Sequence, residues 1–357
     1  MGQDEGGGGV LRRWTAAALI GFTYIGTVVG AGFATGQEIL QFFTVYGKTA
    51  TLTIVVSSAL FIWLGTKLML IARRIRARSY EDMNVHIFGE TIGSFVSWIM
   101  MLLLLAISSV MLAGAGAVFR EHLNMNYQTG LIVTAVLAYV VMRRGMNGIK
   151  TVNSFVVPIM LVFTAIVCAL SLRLPASGNF VTLHGDYPLW RVWLSPFMYT
   201  AFNLALAQAV LVPLGASTQD ERTIRLGGLI GGGGIAIMLL AGHISLSAHM
   251  PGITQFDIPM GQLVAPLGPW VQLMFLFLIY AEIYTTLIAN VYGLALQIKQ
   301  HSRWGMPLIY FVLLLFCYTV SQLGFKTLLS ALYPALGLIS LVWLAMLLRA
   351  SRSRLRL

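Results

Sequence analysis

The sequence predicts an all-α polytopic membrane protein: about ten transmembrane helices in a 5+5 inverted repeat, with helices 1 and 6 discontinuous. Three observations support this prediction. Of 357 residues, 58% are hydrophobic and only 10% are charged, whereas soluble domains carry about 25% charged residues. Apolar segments of about 20 residues, the length that crosses a bilayer, recur along the chain. Two segments at corresponding positions of the two halves contain polar residues together with glycine or proline, a pattern typical of transporter sites.

The apolar segments set the predicted order of the spans. They lie at about 14–46, 49–72, 90–119, 127–142, 149–172, 193–214, 226–249, 268–298, 304–322 and 326–348. A long loop separates five spans from five, and an odd number of spans in each half gives the halves opposite orientations in the membrane. The predicted organisation is an N-terminal tail 1–13, a first repeat 14–172, an extracellular loop 173–192, a second repeat 193–348 and a basic tail 349–357.

The net charge of +11 raises the question of a nucleic-acid partner. Most of the 23 Lys and Arg residues, however, fall in alternate loops between the spans, and the positive-inside rule explains that bias more simply. We therefore expect no nucleic-acid partner, a location in the cytoplasmic membrane, the lipid bilayer as surroundings, and both termini on the cytoplasmic side. Cys168 and Cys317 lie in apolar segments and predict neither a disulfide framework nor a metal site. The oligomeric state stays open.

The first span is the most informative stretch, because its middle is rich in glycine and polar residues. These residues are Gly26, Gly30, Gly32, Gly36, Gln37 and Glu38. Glycine costs roughly 1 kcal/mol relative to alanine in a helix interior, and a carboxylate at bilayer depth costs about 2.5–3.5 kcal/mol on insertion scales. The pattern predicts a helix that is broken near Gly30–Gly36 and faces a polar cavity. Close helix packing also explains the glycines, but it does not explain Gln37 and Glu38.

Three later stretches complete the candidate site. In the sixth span, Asn203 and Gln208 predict a second break. In the eighth span, Glu282, Thr285 and Thr286 recur at helical spacing with Asn290 and form one polar face. The alternative for such hydroxyls is bonding to carbonyls of their own helix. The segment that begins at 256–259 is a candidate lid, and the glycine run Gly231–Gly234 favours close helix packing over nucleotide binding.

Residues 28–39 (Val-Val-Gly-Ala-Gly-Phe-Ala-Thr-Gly-Gln-Glu-Ile) and 41–43 (Gln-Phe-Phe) resemble the opening signature of the YkvI-type amino acid permeases. More broadly, the chain resembles the amino acid–polyamine–organocation superfamily with the LeuT fold, over essentially all ten spans. This resemblance implies a sodium site formed by the carbonyls of Gly26, Val29 and Glu282 and the hydroxyls of Thr285 and Thr286. The position of Glu282 is usually occupied by a small residue, so its carboxylate keeps proton coupling open. Proton-coupled relatives carry a lysine on the fifth helix, where this chain has Asn153 and Ser154.

Together these features predict a secondary active transporter, a sodium- or proton-coupled symporter that moves a small solute by alternating access. An amino acid is the expected substrate. We expect exposed amides near Gly30, Gly32 and Gly36 to receive a substrate carboxylate, and Asn203 to bind the other end of the substrate. We expect four aromatic residues to close over it: Phe33, Tyr199, Phe202 and Tyr284. Glu38 either caps the second half-helix or binds a substrate amine. Apart from Na⁺ as a coupling ion, no cofactor is expected.

Two other classes of function are alternatives. A receptor or sensor with this fold binds a small ligand without moving it, and counterflow measurements distinguish it from a transporter. An intramembrane enzyme needs a nucleophile or a metal set at the membrane face. Because the six histidines form no glutamate-bearing ligand motif, we do not expect an enzyme.

Overall fold

The computed structural model describes residues 5–256 and 258–323, together with Ser340 and Trp343. In this part of the chain the backbone forms fifteen α-helices. They are α1 (Glu5–Val28), α2 (Ala31–Ala34), α3 (Gln37–Phe42), α4 (Thr49–Leu60), α5 (Thr66–Ile75), α6 (Tyr80–Phe88), α7 (Glu90–His122), α8 (Tyr127–Met142), α9 (Met146–Ser171), α10 (Asn179–Thr182), α11 (Leu189–Ala216), α12 (Glu221–Ser247), α13 (Pro259–Val264), α14 (Pro269–His301) and α15 (Met306–Ser321). One turn of π-helix, Phe61–Gly65, joins α4 to α5.

Nine of the ten predicted spans correspond to helices of the described residues. Six helical segments are long and apolar enough to cross a membrane, and α8 and α15 are shorter apolar helices. The first span is formed by α1, α2 and α3 together. The predicted tenth span, 326–348, lies outside the described residues except for Ser340 and Trp343.

Helical structure begins ahead of the first predicted span. Helix α1 begins at Glu5 and includes Gly6–Gly9, which lie in the predicted tail 1–13. Glycine costs about 1 kcal/mol relative to alanine in a helix interior, which disfavours helical backbone without excluding it.

The first span is broken, as predicted. Helix α1 ends at Val28, and Val29 and Gly30 lie outside helical structure before α2 begins. A second interruption follows at Thr35 and Gly36, where Gly36 has φ 84° and ψ −4°. Glycine adopts this left-handed conformation without the strain that a side chain introduces.

The sixth span corrects the prediction of a second broken helix. Helix α11 runs without interruption from Leu189 to Ala216, and it contains both Pro196 and Pro213. The Asn203 side chain donates to the Tyr199 carbonyl of the same helix, over 3.0 Å. One of the two amides that suggested a break is thus partly satisfied inside a continuous helix, whereas the other, Gln208, is fully buried without a hydrogen-bond partner. A proline removes one backbone donor, and in α11 this loss does not interrupt the helix.

The long helices form two groups around the break. In the first group, α1 packs along α12, and α11 packs along α4 and α5. In the second group, α7 packs against α8, α14 and α15. A repeat of five spans relates span 1 to span 6 and span 2 to span 7. It therefore relates the α1–α12 pair, which is formed by spans 1 and 7, to the pair of α11 with α4 and α5, which is formed by spans 6 and 2. This is the pairing expected for two halves that are related by an inverted repeat.

Loops predicted on the same membrane side meet in the structure. At one end Arg13 lies 3.1 Å from Asp220, and Arg73 lies 3.1 Å from Glu221. The hydroxyl of Thr223 donates to Asp220 and lowers the pKa of that carboxyl, so the charge that faces Arg13 persists to lower pH. At the other end the backbone amide of Lys48 donates to the Leu183 carbonyl, over 2.7 Å.

Close approach of α1 and α12 gives a stability prediction. A Cβ atom added at Gly231 would lie 2.5 Å from a ring carbon of Tyr24, whereas one added at Gly233 meets no atom within 4 Å. We expect Gly231→Ala to lower the melting temperature of the detergent-solubilised protein, because overpacking costs typically 1–3 kcal/mol. We expect Gly233→Ala, the matched control, to leave it unchanged or to raise it. Equal melting temperatures for the two variants would contradict the tight α1–α12 contact.

Candidate functional site

A buried cavity of about 70 Å³ lies at the break in the first span. It exceeds the roughly 10–15 Å³ that a single buried water molecule requires. Four parts of the fold contribute its walls: the α1–α3 region, α7, α11 and α14. The lining residues are Thr27, Val28, Gly30, Ala31, Gly32, Glu38, Ile107, Val110, Met111, Phe202, Asn203, Leu206, Thr286 and Asn290. Glu38 is the single charged residue among them.

The carboxyl group of Glu38 packs against Gly32, just after the first interruption of the span. Its Oε1 atom is 2.3 Å from the point where a Cβ atom of residue 32 would stand, so a side chain at residue 32 would displace this carboxyl group. The side chain is 8% exposed. The Tyr199 hydroxyl interacts with this carboxyl group, although the geometry is looser than that of a standard hydrogen bond. Glu38 does not cap α3, because Gly36 occupies the cap position.

Tyr199 supports Glu38 from the side of α11. Its ring is fully buried and packs against three aromatic rings at centroid distances of 5.1–5.9 Å; these rings belong to Phe42, Phe43 and Phe61. This aromatic cluster fixes the position of the hydroxyl beside the carboxyl group. Tyr199 is therefore a supporting residue behind the cavity wall and not a lid over the cavity.

The structure brings together five of the nine predicted substrate residues in the cavity lining. These five are Gly30, Gly32, Glu38, Phe202 and Asn203. Phe33 lines a neighbouring, mostly apolar pocket of about 20 Å³. Tyr284 lies away from the cavity, stacked on Tyr280 at a centroid distance of 6.5 Å. Tyr280 in turn hydrogen-bonds to Thr134 of α8.

The segment between α12 and α14 covers the outer part of the broken span. The backbone amide of Met260 donates to the Thr35 carbonyl over 2.9 Å. The side chain of Gln37 donates to the Phe256 carbonyl, also over 2.9 Å. The Met260 side chain packs onto Gly36, with its Cγ atom 2.9 Å from the point where a Cβ atom would stand. This arrangement places the candidate lid in contact with the turn between α2 and α3.

The end of α1 leaves its last backbone carbonyls without helical partners, as every helix end does, and those of Thr27 and Val28 are among them. Val29 donates to Ile25 and Ala34 donates to Gly30, but within the described chain no backbone amide donates to the carbonyl of Gly26 or of Val29. These are the two carbonyls that the family resemblance assigns to sodium. Sodium is a hard cation, and such cations prefer oxygen ligands.

Helix α9 faces the same end of α1 with a buried amide. Asn153 is fully buried, its side-chain atoms make no hydrogen bond, and its Oδ1 atom lies 2.0 Å from the point where a Cβ atom of Gly26 would stand. The family resemblance named Asn153 only as the replacement for a lysine in proton-coupled relatives. Its contact with Gly26 adds it to the candidate ion site.

The polar face of α14 lies opposite the break. Glu282 and Thr285 are fully buried, and both carboxylate oxygens of Glu282 lack a hydrogen-bond partner. The hydroxyl of Thr285 donates to the Glu282 carbonyl over 3.1 Å. The Thr286 hydroxyl has no partner and lies 3.2 Å from the point where a Cβ atom of Gly30 would stand. Thr286 is therefore both a predicted ion-binding residue and part of the cavity lining.

Contacts between α9 and α14 place these residues at one level. Phe163 stacks on Phe275 at a centroid distance of 5.8 Å, and Tyr292 interacts with the backbone of Met146. Because the two helices run antiparallel in this register, Asn153 lies at the depth of Thr285. The end of α1 and the interiors of α9 and α14 thus converge with oxygen-bearing groups and one buried carboxyl group.

Some of the lining has no signal in the sequence. Ile107, Val110 and Met111 belong to α7 and are indistinguishable from other apolar residues of a membrane helix. Thr27 carries a hydroxyl, but it donates to the Thr23 carbonyl of its own helix. Within residues 5–256 and 258–323, no three His, Cys, Asp or Glu side chains lie together as metal ligands.

Comparison with known proteins places this geometry in a known fold. No family model matches the chain. The uncharacterized membrane protein YkvI of Bacillus subtilis (strain 168) is 42% identical over 341 residues, which cover 96% of this chain and 98% of YkvI. The structure also resembles three solved transporters at low sequence identity, so these likenesses concern the fold.

MhsT in complex with L-phenylalanine has a TM-score of 0.68 at 14% identity and matches 93% of this chain and 86% of its own. A Na⁺-coupled sialic acid symporter has a TM-score of 0.71 at 10% identity, over 92% and 78% of the two chains. The Eremococcus coleocola manganese transporter has a TM-score of 0.61 at 16% identity, over 96% and 78%. The chain is a multi-pass membrane protein with the LeuT fold, and it belongs to the family of the membrane protein YkvI.

Proposed function

We propose that the protein is a secondary active transporter that moves a small solute, with an amino acid as the expected class, by ion-coupled alternating access. The observation that carries this proposal is the broken first span, which opens onto a buried cavity containing Glu38. Backbone that is not helical persists at membrane depth where it lines a cavity or is buried in protein. Solved transporters that share the fold include a complex with an amino acid, L-phenylalanine, and a Na⁺-coupled symporter.

The cavity supplies the chemistry for a solute with polar ends. Gly30 and Gly32 expose backbone at one wall, and Asn203 and Asn290 provide amides at the opposite walls. The Nδ2 atom of Asn290 is buried and has no hydrogen-bond partner. A buried amide without a partner is unfavourable by about 1–3 kcal/mol. A bound solute or water relieves that penalty, which is the behaviour expected of a binding residue.

Coupling is assigned to the junction of α1, α9 and α14. Sodium would be bound there by the carbonyls of Gly26, Val29 and Glu282 and by the hydroxyls of Thr285 and Thr286. The free carbonyls of Gly26 and Val29 and the unpartnered Thr286 hydroxyl support this assignment. The buried carboxyl group of Glu282 supports the alternative, coupling to a proton, because an ionised carboxylate without a partner is strongly unfavourable in such a site.

The contacts over the turn between α2 and α3 indicate which state of the transport cycle the structure represents. Met260 and Phe256 contact the C-terminal half of the broken span, and the charge bias of the loops supports assigning this face to the outside of the cell. The structure then represents a state that is closed toward the outside. Opening requires that this segment move away from Thr35 and Gly36.

Uptake into proteoliposomes tests the proposal. Purified protein is reconstituted, and sodium and proton gradients are imposed separately while uptake of radiolabelled amino acids is measured. We expect accumulation above equilibrium with at least one gradient. Uptake that is independent of both gradients would contradict ion coupling. Ligand binding without counterflow would favour a receptor.

The variant Glu282→Gln separates the two coupling ions. Glutamine keeps the size of the side chain and the backbone carbonyl, but it cannot release a proton. We therefore expect its uptake to lose the dependence on an imposed proton gradient and to keep any dependence on sodium. The measurement is initial uptake rate against external pH at fixed sodium. A pH profile identical to that of the native protein would show that the Glu282 carboxyl group takes no part in coupling.

A further inference from the structure

We propose that Glu38 is the counter-ion for a positively charged amine of the transported solute, and that the cavity therefore prefers a cationic amine to a zwitterion or an acid. This inference rests on the proposed function and revises its expected substrate: a solute that carries only a positive charge is favoured over a zwitterionic amino acid. It begins from the lining, in which Glu38 is the single charged side chain and every other polar group is a hydroxyl, an amide or backbone.

The helices that line the cavity carry no basic side chain at membrane depth. The sequence has no Lys, Arg or His between Arg13 and Lys48, between Glu90 and Arg120, between Arg191 and Arg222, or between His249 and Lys299. Lys150 belongs to α9, which contributes no residue to the lining. A solute carboxylate that enters the cavity therefore meets no cationic side chain, and it meets one carboxyl group of its own sign.

The position of Glu38 suits direct contact with a ligand. The side chain is more than nine-tenths buried, and its Oε2 atom has no hydrogen bond of standard geometry. Oε1 lies against the backbone of Gly32, in the wall formed by the break. A buried carboxylate is stabilised by pairing with a cation or by protonation. An ammonium group provides three donors, and Asn203 offers an amide on the facing helix.

Two features keep the carboxyl group in place. The aromatic cluster around Tyr199 holds its hydroxyl near Glu38. Gly32 leaves the space that the carboxyl group fills, since a Cβ atom there would stand 2.3 Å from Oε1 and 2.9 Å from Cδ. A change at residue 32 thus displaces the carboxyl group without removing its charge.

Three small solutes test the proposal: ethylamine, alanine and propionate. They share an ethyl unit, and they carry respectively an ammonium alone, both charges, and a carboxylate alone. Their binding to the purified full-length protein is measured by thermal shift titration, with sodium present and absent. We expect the tightest binding for ethylamine, weaker binding for alanine and none for propionate. Binding of propionate equal to or tighter than that of ethylamine would overturn the proposal.

Variants of the site provide the second arm. We expect Glu38→Gln to weaken ethylamine binding about tenfold to a hundredfold, because a hydrogen bond to a charged group contributes roughly 1.5–3 kcal/mol. Gly32→Ala is expected to weaken it as well while the charge remains. Glu90→Gln, at the exposed start of α7, is the matched control and should change nothing. Unchanged ethylamine binding in a folded Glu38→Gln or Gly32→Ala protein would overturn the proposal. If Glu38→Gln fails to fold, Gly32→Ala alone decides.

Three further outcomes are informative, and the last two of them distinguish this inference from the proposed function. Stabilisation by Mn²⁺, lost in Glu38→Gln and accompanied by no response to ethylamine, would overturn the inference and assign the carboxyl group to a metal cation. Gradient-driven uptake of alanine with equal rates in native and Glu38→Gln protein would overturn the inference and leave the transporter in place. Binding of ethylamine that depends on Glu38, with no uptake or counterflow, would support the inference and contradict the transporter.

Discussion

The double variant Thr285→Val, Thr286→Val is expected to abolish stimulation of uptake by sodium. Valine preserves the shape of each side chain and removes the hydroxyl oxygen that a sodium ion would contact. Thr286 carries the larger part of the expected effect, because its hydroxyl has no partner and lies beside Gly30. Thr285 already donates to the Glu282 carbonyl, but its oxygen retains lone pairs for a cation. We expect the apparent sodium affinity to fall at least tenfold, equivalent to about 1.4 kcal/mol.

The control for this pair is Thr151→Val. The hydroxyl of Thr151 donates to the Asn147 carbonyl of its own helix, on an exposed face of α9. The Thr151→Val variant also removes a threonine hydroxyl oxygen from a membrane helix, but away from the α1–α14 junction. Uptake by this variant should keep its native sodium dependence. Initial uptake rates are measured across a sodium titration at constant ionic strength. Native sodium stimulation in the double variant would remove these two hydroxyls from the ion site.

The sequence predicted nine spans that correspond to helices of the described residues, because bilayer thickness dictates the length of each apolar segment. It also predicted the break in the first span, where Gly36 adopts a positive φ and Gln37 and Glu38 follow. Both features are local, so neighbouring residues alone carry the information. The free carbonyls of Gly26 and Val29 follow from the same break.

The sixth span shows the limit of the same reasoning. Asn203 and Gln208 suggested a break, but the side chain of Asn203 bonds back to Tyr199, the Gln208 amide is buried without a hydrogen-bond partner, and the helix continues. Polarity at membrane depth indicates that a partner is needed, and the sequence does not reveal whether that partner is a ligand, another helix or a carbonyl one turn away. The contact of Asn153 with Gly26 joins residues far apart in the chain and has no local signal.

Gly36→Ala is expected to reduce transport strongly by loosening the outer cover. Gly36 has φ 84°, a conformation in which a side chain is strained. The added methyl group would also stand 2.9 Å from the Cγ atom of Met260, whose backbone amide holds Thr35. We expect uptake to fall at least tenfold, since a state closed toward the outside requires this contact. We also expect a cysteine introduced at Met260 to react faster with a membrane-impermeant thiol reagent than it does in the native background.

The variant Gly89→Ala distinguishes the effect of losing the Gly36–Met260 contact from the effect of backbone strain. Gly89 has φ 85° and ψ 170°, so alanine is strained there as well, but a Cβ atom at residue 89 meets nothing within 4 Å. Strain of this kind costs on the order of 1–3 kcal/mol at either position. Both variants should therefore lose thermal stability, while only Gly36→Ala should lose transport and expose residue 260. Equal loss of uptake in the two variants would attribute the effect to strain, and the contact between Gly36 and Met260 would then have no part in closing the site.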